Sequence, residues 1–383
     1  MKKLQEYLDR ASNQTGLENF GDDSFREGLE RLLESVDREA HLSETGYVMF
    51  DQMINKGLVN RLELEYWYGK YPQINEGEIV APLIGLGLPR TGSTAFFNMV
   101  SMDSSTRFLR SWEGAKPCPL PVWGQEDNDP RVAEATRAME QRNRENPNLQ
   151  KMLPSSPTSA VECGVIMSFD FRSNFYSAMF HIPSYSKWLV QEADMVPAYQ
   201  YLKRTLKLLQ SRCPPSHWRL KSPPHSQFIN ALDKVFPDSR FWMTHRDICR
   251  VIPSVADLYF EHASRFSDNI DRRYLGSFNM DFWEEALHRM IAFRDNGNEN
   301  RFFDVYFHEL QQDPFSSLER LYEFLGETFT DETRDRVVAW RSDMPRGKHG
   351  EHTYDAADYG VDLVELRRRF SFYSERFGVP TAA

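Results

Sequence analysis

The sequence predicts an α/β protein in which a parallel β-sheet is flanked by helices and preceded by a helical extension. Three observations support this fold class. Residues 1–70 repeat apolar side chains at helical spacing. An apolar run at 79–86 leads through a glycine-containing loop into a helix, and two later short strands are joined by a helix. We expect the extension to cover residues 1–75 and one α/β domain to cover residues 76–383.

The helical extension is predicted from two stretches with an apolar periodicity. In SFREGLERLLESVDREAHLS, apolar residues recur every three or four positions with charged residues between them. A second stretch, from Tyr47 to Pro72, continues this pattern. We expect these helices either to form a homodimer or to cover a substrate site, and the pattern leaves both alternatives open.

The first strand of the sheet is predicted at residues 79–86, an apolar run typical of a central parallel strand. The segment GLGLPRTGST at 85–94 follows, and a helix is expected to begin at Thr91 or Gly92. A helix N-terminus presents unpaired N–H groups and the positive end of the helix dipole. The order of strand, glycine loop and helix therefore predicts an anion-binding site.

This loop has the glycine spacing of a P-loop but lacks the P-loop lysine. Gly87 and Gly92 have the expected spacing, whereas Ser93 occupies the lysine position and the nearest cation is Arg90. The predicted anion ligands are Arg90, Thr91, Gly92, Ser93 and Thr94. Phosphoryl transfer from ATP requires a metal and a cation at the β and γ oxygens, so the missing lysine counts against an NTPase. The sheet is thus expected to be of P-loop type with a different anionic ligand.

The later elements of the sheet are predicted from shorter patterns. Strands are expected at 217–223 and 240–247, joined by a helix, and a further strand at 301–310. Residues 115–160, rich in proline and polar residues, are interpreted as an insertion over a sheet edge that contains one helix. Residues 161–209 are interpreted as a long helical segment rich in aromatic residues.

Four motifs in this order resemble the sulfotransferases that use 3′-phosphoadenosine 5′-phosphosulfate (PAPS). GLPRTGST resembles their 5′-phosphosulfate loop, and LKSPPH resembles a strand that ends in a sulfonyl-contacting lysine, here Lys221. THRDICRVIPS resembles their 3′-phosphate motif, with Arg246 and Ser254 as ligands. RGKHGEHTYDAADYGVD resembles the late basic loop of the bacterial branch, in which Arg346 and Lys348 would close on the 3′-phosphate.

The resemblance implies the bacterial branch of the P-loop sulfotransferases. A sulfonyl group would pass from PAPS, by in-line transfer without a metal, to a hydroxyl or amine of a small-molecule acceptor. Arg90 and Lys221 would stabilise the developing charge. The aromatic residues at 165–190 favour an apolar or amphipathic acceptor. Two alternatives stay open: a magnesium-dependent P-loop kinase or NTPase, and an inactive nucleotide-binding protein that serves interactions.

Three residues are candidates for the general base. Glu162 resembles a glutamate found at this place in the bacterial branch, and an apolar surrounding can raise a carboxyl pKa towards the working pH. His225 lies four residues after Lys221, and histidine titrates in the right range. His181 is the third candidate. Pro223 stands where other branches of the family have a catalytic histidine, and we prefer Glu162.

Charge and composition exclude other classes. A net charge of −10 argues against a protein that coats nucleic acid, because that binding requires neutralisation of phosphates. The four cysteines are far apart without a C-x-x-C motif, which predicts neither a disulfide framework nor a zinc site. The N-terminus lacks the pattern of a signal peptide, and no apolar stretch approaches 18 residues. We therefore expect a cytoplasmic protein without an integral membrane segment.

Overall fold

The computed structural model describes residues 3–153, 155–214, 217–343 and 353–380 of the chain. The sheet consists of β1 (Leu83–Leu86), β2 (Arg107–Phe108), β3 (Trp218–Lys221), β4 (Arg240–His245) and β5 (Phe302–Tyr306). These five strands have the order β2-β3-β1-β4-β5, and every pairing between them is parallel. Helices flank the sheet, so the predicted α/β class is confirmed.

The N-terminal residues are helical, as predicted. The helices are α1 (Leu4–Thr15), α2 (Phe25–Glu39) and α3 (Glu44–Lys70). The Ser43 hydroxyl caps α3 by accepting the N–H of Gly46. Arg61 of α3 forms a buried ion pair with Asp170, 3.2 Å away. Buried apolar residues of these helices belong to one cluster with residues of the later helices, so the extension packs into the main core. The division of the chain at residue 75 stays a prediction.

The first strand is shorter than the predicted run of residues 79–86. Ala81 has a φ of 40°, and its N–H donates to the Asp238 carboxylate, so the chain turns before Pro82. Only then does β1 enter the sheet, where all four of its residues are buried. Gly85 in this strand leaves room for the Trp242 ring of β4, since an added Cβ would lie 2.2 Å from a ring atom. The close approach of the two strands therefore requires glycine here.

The segment after β1 contains the predicted loop, helix and insertion. The helices are α4 (Ser93–Val100), α5 (Ser111–Ala115), α6 (Pro130–Glu145) and α7 (Pro147–Met152). Helix α6 matches the helix predicted inside the insertion. Asp129 caps it by accepting the N–H of Arg131, and Pro130 opens it.

The long helical segment predicted at 161–209 is divided into four helices. They are α8 (Gly164–Met167), α9 (Asn174–Met179), α10 (Pro183–Gln191) and α11 (Val196–Gln210). Phe171, with a left-handed φ of 58°, interrupts the first part. Pro183 and Pro197 lie in the first turns of α10 and α11, because proline lacks the N–H that a helix interior requires.

The remaining helices surround the second half of the sheet. They are α12 (Ile229–Val235), α13 (Ile248–Ala263), α14 (Arg272–Phe293), α15 (Phe307–Gln312), α16 (Pro314–Leu325), α17 (Asp331–Asp343), α18 (Leu363–Arg369) and α19 (Ser371–Phe377). Within the described part of the chain, none of the helices has the length and apolar character needed to cross a membrane.

Candidate functional site

Three strand ends meet at one edge of the sheet. Strand β1 lies between β3 and β4, with Gly85 opposite both Lys221 and Trp242. Because the strands are parallel, the residues that follow them emerge at the same edge, where ligands bind in open α/β sheets. This edge brings together the loop after β1, Lys221 at the end of β3, and Arg246 directly after β4.

The loop after β1 has the backbone conformation that its glycines allow. Gly87 and Gly92 have φ values of 102° and 85°, and Gly92 is the N-terminal cap of α4. The Thr91 hydroxyl donates to the Leu88 carbonyl (2.8 Å) and lies 2.5 Å from the Thr244 hydroxyl of β4. The Thr91 side chain is fully buried, so its hydroxyl fixes the loop to the sheet. Helix α4 begins two residues after Thr91, at Ser93.

Arg90 lies against the residues predicted for the 3′-phosphate motif. Its Nε donates to the Ser254 hydroxyl of α13 (3.1 Å), and its Nη1 donates to the Met152 carbonyl (2.9 Å). Arg246 in turn donates from Nη1 to the Arg90 carbonyl (2.9 Å), and its guanidinium lies 4.1 Å from the centre of the Phe307 ring. Arg90, which the sequence predicts to stabilise the developing charge, thus lies beside Ser254 of the predicted 3′-phosphate motif.

Arg90 and Arg246 form a local concentration of positive charge in an acidic protein. Burial lowers the pKa of both guanidinium groups, and the charge of Arg246 lowers that of Arg90 further. Within the described residues, neither guanidinium forms an ion pair with a carboxylate. Two partly desolvated cations that share a site without a paired carboxylate favour the binding of an anion.

Lys221 and Glu162 form an ion pair on the other side of the loop. Nζ of Lys221 lies 2.8 Å from Oε1 of Glu162 and 3.3 Å from the Thr94 hydroxyl. The Ser222 hydroxyl donates to the second carboxylate oxygen of Glu162 (3.4 Å). The Cys163 N–H donates to the Lys221 carbonyl and thereby ties the Glu162 segment to the end of β3 (3.0 Å). Lys221 is 3% exposed and Glu162 is 44% exposed, so the carboxylate is the accessible member of the pair.

A second group of polar side chains lies near Glu162. The Ser173 hydroxyl donates to the Gly164 carbonyl (2.9 Å), and the next residue, Asn174, donates its amide N–H to the Tyr259 hydroxyl (2.7 Å). Burial and the charge of Glu162 both raise the pKa of Tyr259. The amide oxygen of Asn174 is buried and has no hydrogen-bond partner among the described residues. An unpaired buried acceptor is costly, which makes Asn174 a candidate contact for a ligand donor group.

Within the described residues, neither candidate histidine forms a side-chain hydrogen bond or ion pair with Lys221 or Glu162. His225 is 2% exposed, and its Nδ1 is 2.9 Å from the Tyr199 hydroxyl. Burial lowers the pKa of His225 to about 3, which keeps the imidazole neutral. His181 is half-buried with its ring edge-on to that of Tyr274, and burial lowers its pKa as well. Glu162 is therefore the base candidate that lies beside Lys221.

The geometry agrees with the family to which the sequence points. A model of the sulfotransferase family matches residues 82–331, which is more than half of the chain. The chain belongs to the sulfotransferase family. Its fold is similar to the crystal structure of sulfotransferase STF9 from Mycobacterium avium, with 28% identity, a TM-score of 0.92, and coverage of 100% of this chain and 98% of that one. It is also similar to sulfotransferase STF1 from Mycobacterium tuberculosis H37Rv, with 28% identity, a TM-score of 0.86, and coverage of 97% and 99%.

The predicted bacterial branch of the family is confirmed by these two similarities. No curated protein was found to match the chain. The protein is a sulfotransferase, and its reaction class is sulfonyl transfer. Family membership thus counts against both alternatives that the sequence left open, the P-loop kinase or NTPase and the inactive interaction protein.

Part of the predicted donor site of the sulfotransferase falls outside the described residues. Arg346 and Lys348 belong to this part. The chain is described again from residue 353, and the Tyr354 hydroxyl donates to the Arg250 carbonyl in the first turn of α13 (3.0 Å). The residues after the basic loop therefore return to the side of the sheet that carries Arg246.

Several residues of the candidate site of the sulfotransferase were missed in the sequence. Ser222 directly follows Lys221, and its position at a strand end is a signal that was available. Asn174 and Tyr259 lie in helices without a recognisable motif, and the contact between them joins residues 85 positions apart. Phe307 lies under both Arg246 and Gly92, since a Cβ on Gly92 would be 3.1 Å from its ring.

Proposed function

We propose that the enzyme transfers the sulfonyl group of PAPS to a hydroxyl or amine of an apolar or amphipathic small molecule, in line and without a metal ion. One observation carries this proposal: cationic side chains from separate motifs gather at one sheet edge. Arg90, Arg246 and Ser254 meet on the β4 side of the loop, and Lys221 meets Thr94 and Glu162 on the β3 side. A donor with a 3′-phosphate and a 5′-phosphosulfate has anionic groups for both sides.

The donor's two ends are assigned to the two groups of side chains. Arg246 and Ser254 would hold the 3′-phosphate, together with Arg346 and Lys348, because guanidinium groups suit bidentate phosphate contacts. The 5′-phosphosulfate would bind at the N-terminus of α4, with the N–H groups after Gly92 and the hydroxyls of Ser93 and Thr94. We assign Arg90 to the phosphate groups of the donor, since its guanidinium lies beside Ser254.

Glu162 is proposed as the general base. It would take the proton of the acceptor hydroxyl while the new bond from that oxygen to sulfur forms and the bond from sulfur to the 5′-phosphate oxygen breaks. Lys221, 2.8 Å from Glu162, would stabilise the charge that develops on the leaving phosphate oxygen. The products are the sulfated acceptor and adenosine 3′,5′-bisphosphate. A sulfonyl group carries one negative charge, so side-chain cations would suffice where phosphoryl transfer needs a metal.

The acceptor is proposed to lie beside Glu162, within reach of Ser222, Asn174 and Tyr259. These residues offer hydroxyl and amide groups close to the base, and Phe175 nearby is only partly buried. Most of the other aromatic residues at 165–190 belong to the core. Of the aromatic side chains at 165–190, Phe175 is therefore the one assigned to the apolar part of the acceptor site.

Thermal unfolding tests the donor assignment. Adenosine 3′,5′-bisphosphate is expected to raise the melting temperature more than ATP with magnesium, because ATP lacks a 3′-phosphate. A larger shift with ATP and magnesium would contradict the proposal and favour a kinase or NTPase. Transfer from PAPS to a panel of phenols, steroids, lipids and sugars then tests the reaction, and bisphosphate binding without any sulfated product would favour an inactive protein.

The other expectations from the sequence stay predictions. These are the cytoplasmic location, the lack of a nucleic-acid partner, and the role of residues 1–75 in either forming a homodimer or covering a substrate site.

A further inference from the structure

A chain of hydrogen bonds connects the end of β4 to the C-terminal helix. His245, the last residue of β4, lies between Asp304 of β5 and Tyr373 of α19. Its Nε2 is 2.9 Å from Oδ1 of Asp304, and its Nδ1 is 3.2 Å from the Tyr373 hydroxyl. The Tyr373 hydroxyl also lies 3.4 Å from the backbone N of Arg246. His245 is 1% exposed, so these contacts are shielded from water.

The charge of Asp304 determines the direction of these hydrogen bonds. Arg294 donates to both carboxylate oxygens of Asp304, at 2.9 and 2.8 Å. Burial alone would raise the pKa of Asp304, but the hydrogen bonds from His245 and Arg294 hold it below its usual value. The ionised Asp304 can only accept, so Nε2 of His245 carries a proton and donates it.

With a neutral His245, every donor and acceptor in this series of hydrogen bonds has a partner. With the proton on Nε2, Nδ1 is an acceptor, and the Tyr373 hydroxyl donates to it. The oxygen of Tyr373 is then free to accept the N–H of Arg246. The Tyr373 hydroxyl therefore joins the side chain of His245 to the backbone of Arg246, at the end of β4.

The direction in which Arg246 leaves the strand determines where its guanidinium lies. That guanidinium lies over the Phe307 ring and donates to the Arg90 carbonyl, so its position is coupled to the loop. We propose that Tyr373 is a positioning residue for the donor's 3′-phosphate, because it holds His245 and the backbone of Arg246 in the geometry that presents the guanidinium. The inference rests on the proposed function, since it takes Arg246 as a ligand of the 3′-phosphate.

The test compares two tyrosine variants and two nucleotides. Tyr373→Phe removes the hydroxyl and keeps the ring. Tyr306→Phe is the matched control, because its hydroxyl donates to the Phe377 carbonyl of the same helix (2.8 Å) and its ring lies 5.3 Å from that of His245. Isothermal titration calorimetry gives the Kd of each variant for adenosine 3′,5′-bisphosphate and for adenosine 5′-monophosphate, which differ only in the 3′-phosphate.

We expect Tyr373→Phe to weaken binding of the bisphosphate by about five-fold, the size of one lost hydrogen bond, and to leave the monophosphate unchanged. Tyr306→Phe should change neither. A general loss of stability would affect both nucleotides alike, so the ratio of the two Kd values isolates the 3′-phosphate. An unchanged ratio in Tyr373→Phe would overturn the inference.

A double-mutant cycle tests whether Tyr373 acts through Arg246. In the Arg246→Ala background, Tyr373→Phe should produce no further loss of bisphosphate affinity. The same five-fold loss in both backgrounds would overturn the inference. If Tyr373→Phe does not fold, His245→Gln takes its place, because the amide N–H of glutamine can replace Nε2 as the donor to Asp304, but glutamine has no acceptor at the position of Nδ1, where Tyr373 donates. Failure of the proposed function has a different outcome: the wild-type enzyme would then bind the bisphosphate no better than the monophosphate.

Discussion

Nζ of Lys221 lies 2.8 Å from the carboxylate of Glu162, and this contact joins the end of a central strand to a segment 59 positions earlier in the chain. The same Nζ lies 3.3 Å from the Thr94 hydroxyl in the first turn of α4. A proton acceptor and a cation thus lie side by side at the N-terminus of the helix that follows the loop. Substitution of Glu162 shows whether its carboxylate acts as the general base.

Replacing Glu162 by glutamine is expected to lower kcat by roughly 10² to 10⁴ with PAPS and an accepted hydroxyl substrate, the usual contribution of a general base. The affinity for adenosine 3′,5′-bisphosphate should not fall, since the amide keeps the size of the side chain and removes a negative charge beside Lys221. Glu192→Gln, at an exposed position, is the control. A fully active Glu162→Gln variant would exclude Glu162 as the base.

Replacing Arg246 by alanine is expected to weaken the binding of adenosine 3′,5′-bisphosphate by roughly ten- to a hundred-fold, the range of a charge-assisted hydrogen-bonded pair. Binding of adenosine 5′-monophosphate should change little. Arg336→Ala removes an exposed arginine of α17 and should leave both affinities unchanged. If calorimetry shows equal losses for the two nucleotides in Arg246→Ala, the 3′-phosphate assignment is wrong.

Replacing Gly92 by alanine is expected to lower both stability and bisphosphate affinity. The residue has a φ of 85°, and an added Cβ would lie 3.1 Å from the Phe307 ring. A left-handed alanine costs about 1–2 kcal/mol, and displacement of Phe307 would also disturb Arg246. Gly326→Ala separates the two effects, because Gly326 has a φ of 70° with no atom within 4 Å of the added Cβ. Urea unfolding should show a cost for both variants, whereas only Gly92→Ala should lose bisphosphate binding.

Replacing Tyr259 by phenylalanine is expected to raise the KM for the acceptor several-fold and to leave bisphosphate affinity unchanged. The variant removes the hydroxyl that accepts from Asn174 and leaves a buried amide N–H unpaired, at a cost to stability of about 1–3 kcal/mol. Tyr274→Phe is the control, as a partly buried tyrosine that packs against His181. An unchanged acceptor KM, together with the expected loss of stability, would assign Tyr259 to the core alone.

The free energy of unfolding is expected to fall as the pH drops below about 6.5. Burial lowers the pKa of both His225 and His262 to about 3. Between the two pKa values the unfolded chain binds a proton that the native protein does not, so each histidine lowers the free energy of unfolding by up to about 1.4 kcal/mol per pH unit. Urea unfolding of His225→Gln should therefore have a smaller slope with pH, and the exposed His308→Gln variant should keep the slope of the wild type. Equal slopes in all three proteins would contradict the burial of His225 as a neutral imidazole.

The local elements of the site could be predicted from the sequence. The glycines at 87 and 92 mark the left-handed backbone positions, and the apolar run before them marks a buried strand. Lys221 could be placed at the end of its strand, and Arg246 directly after its strand, because the apolar pattern of a strand lies within the few residues that form it. A left-handed turn or a strand end depends mainly on residues that are neighbours in the sequence. The sulfotransferase motifs are also short local patterns, so they could be recognised in the same way.

The tertiary structure decided how these elements meet. The pairings of β1 with β3 and β4 place Lys221 and Arg246 on opposite sides of the loop, and each of these pairings joins residues more than 100 positions apart. Arg90 lies beside Ser254, and His225 is enclosed against Tyr199; no local pattern distinguishes these positions from exposed ones. Periodicity reports which face of an element is apolar, but it does not report which other element covers that face. The sequence therefore named most residues of the candidate site, while packing between distant parts of the chain decided which of them lie together.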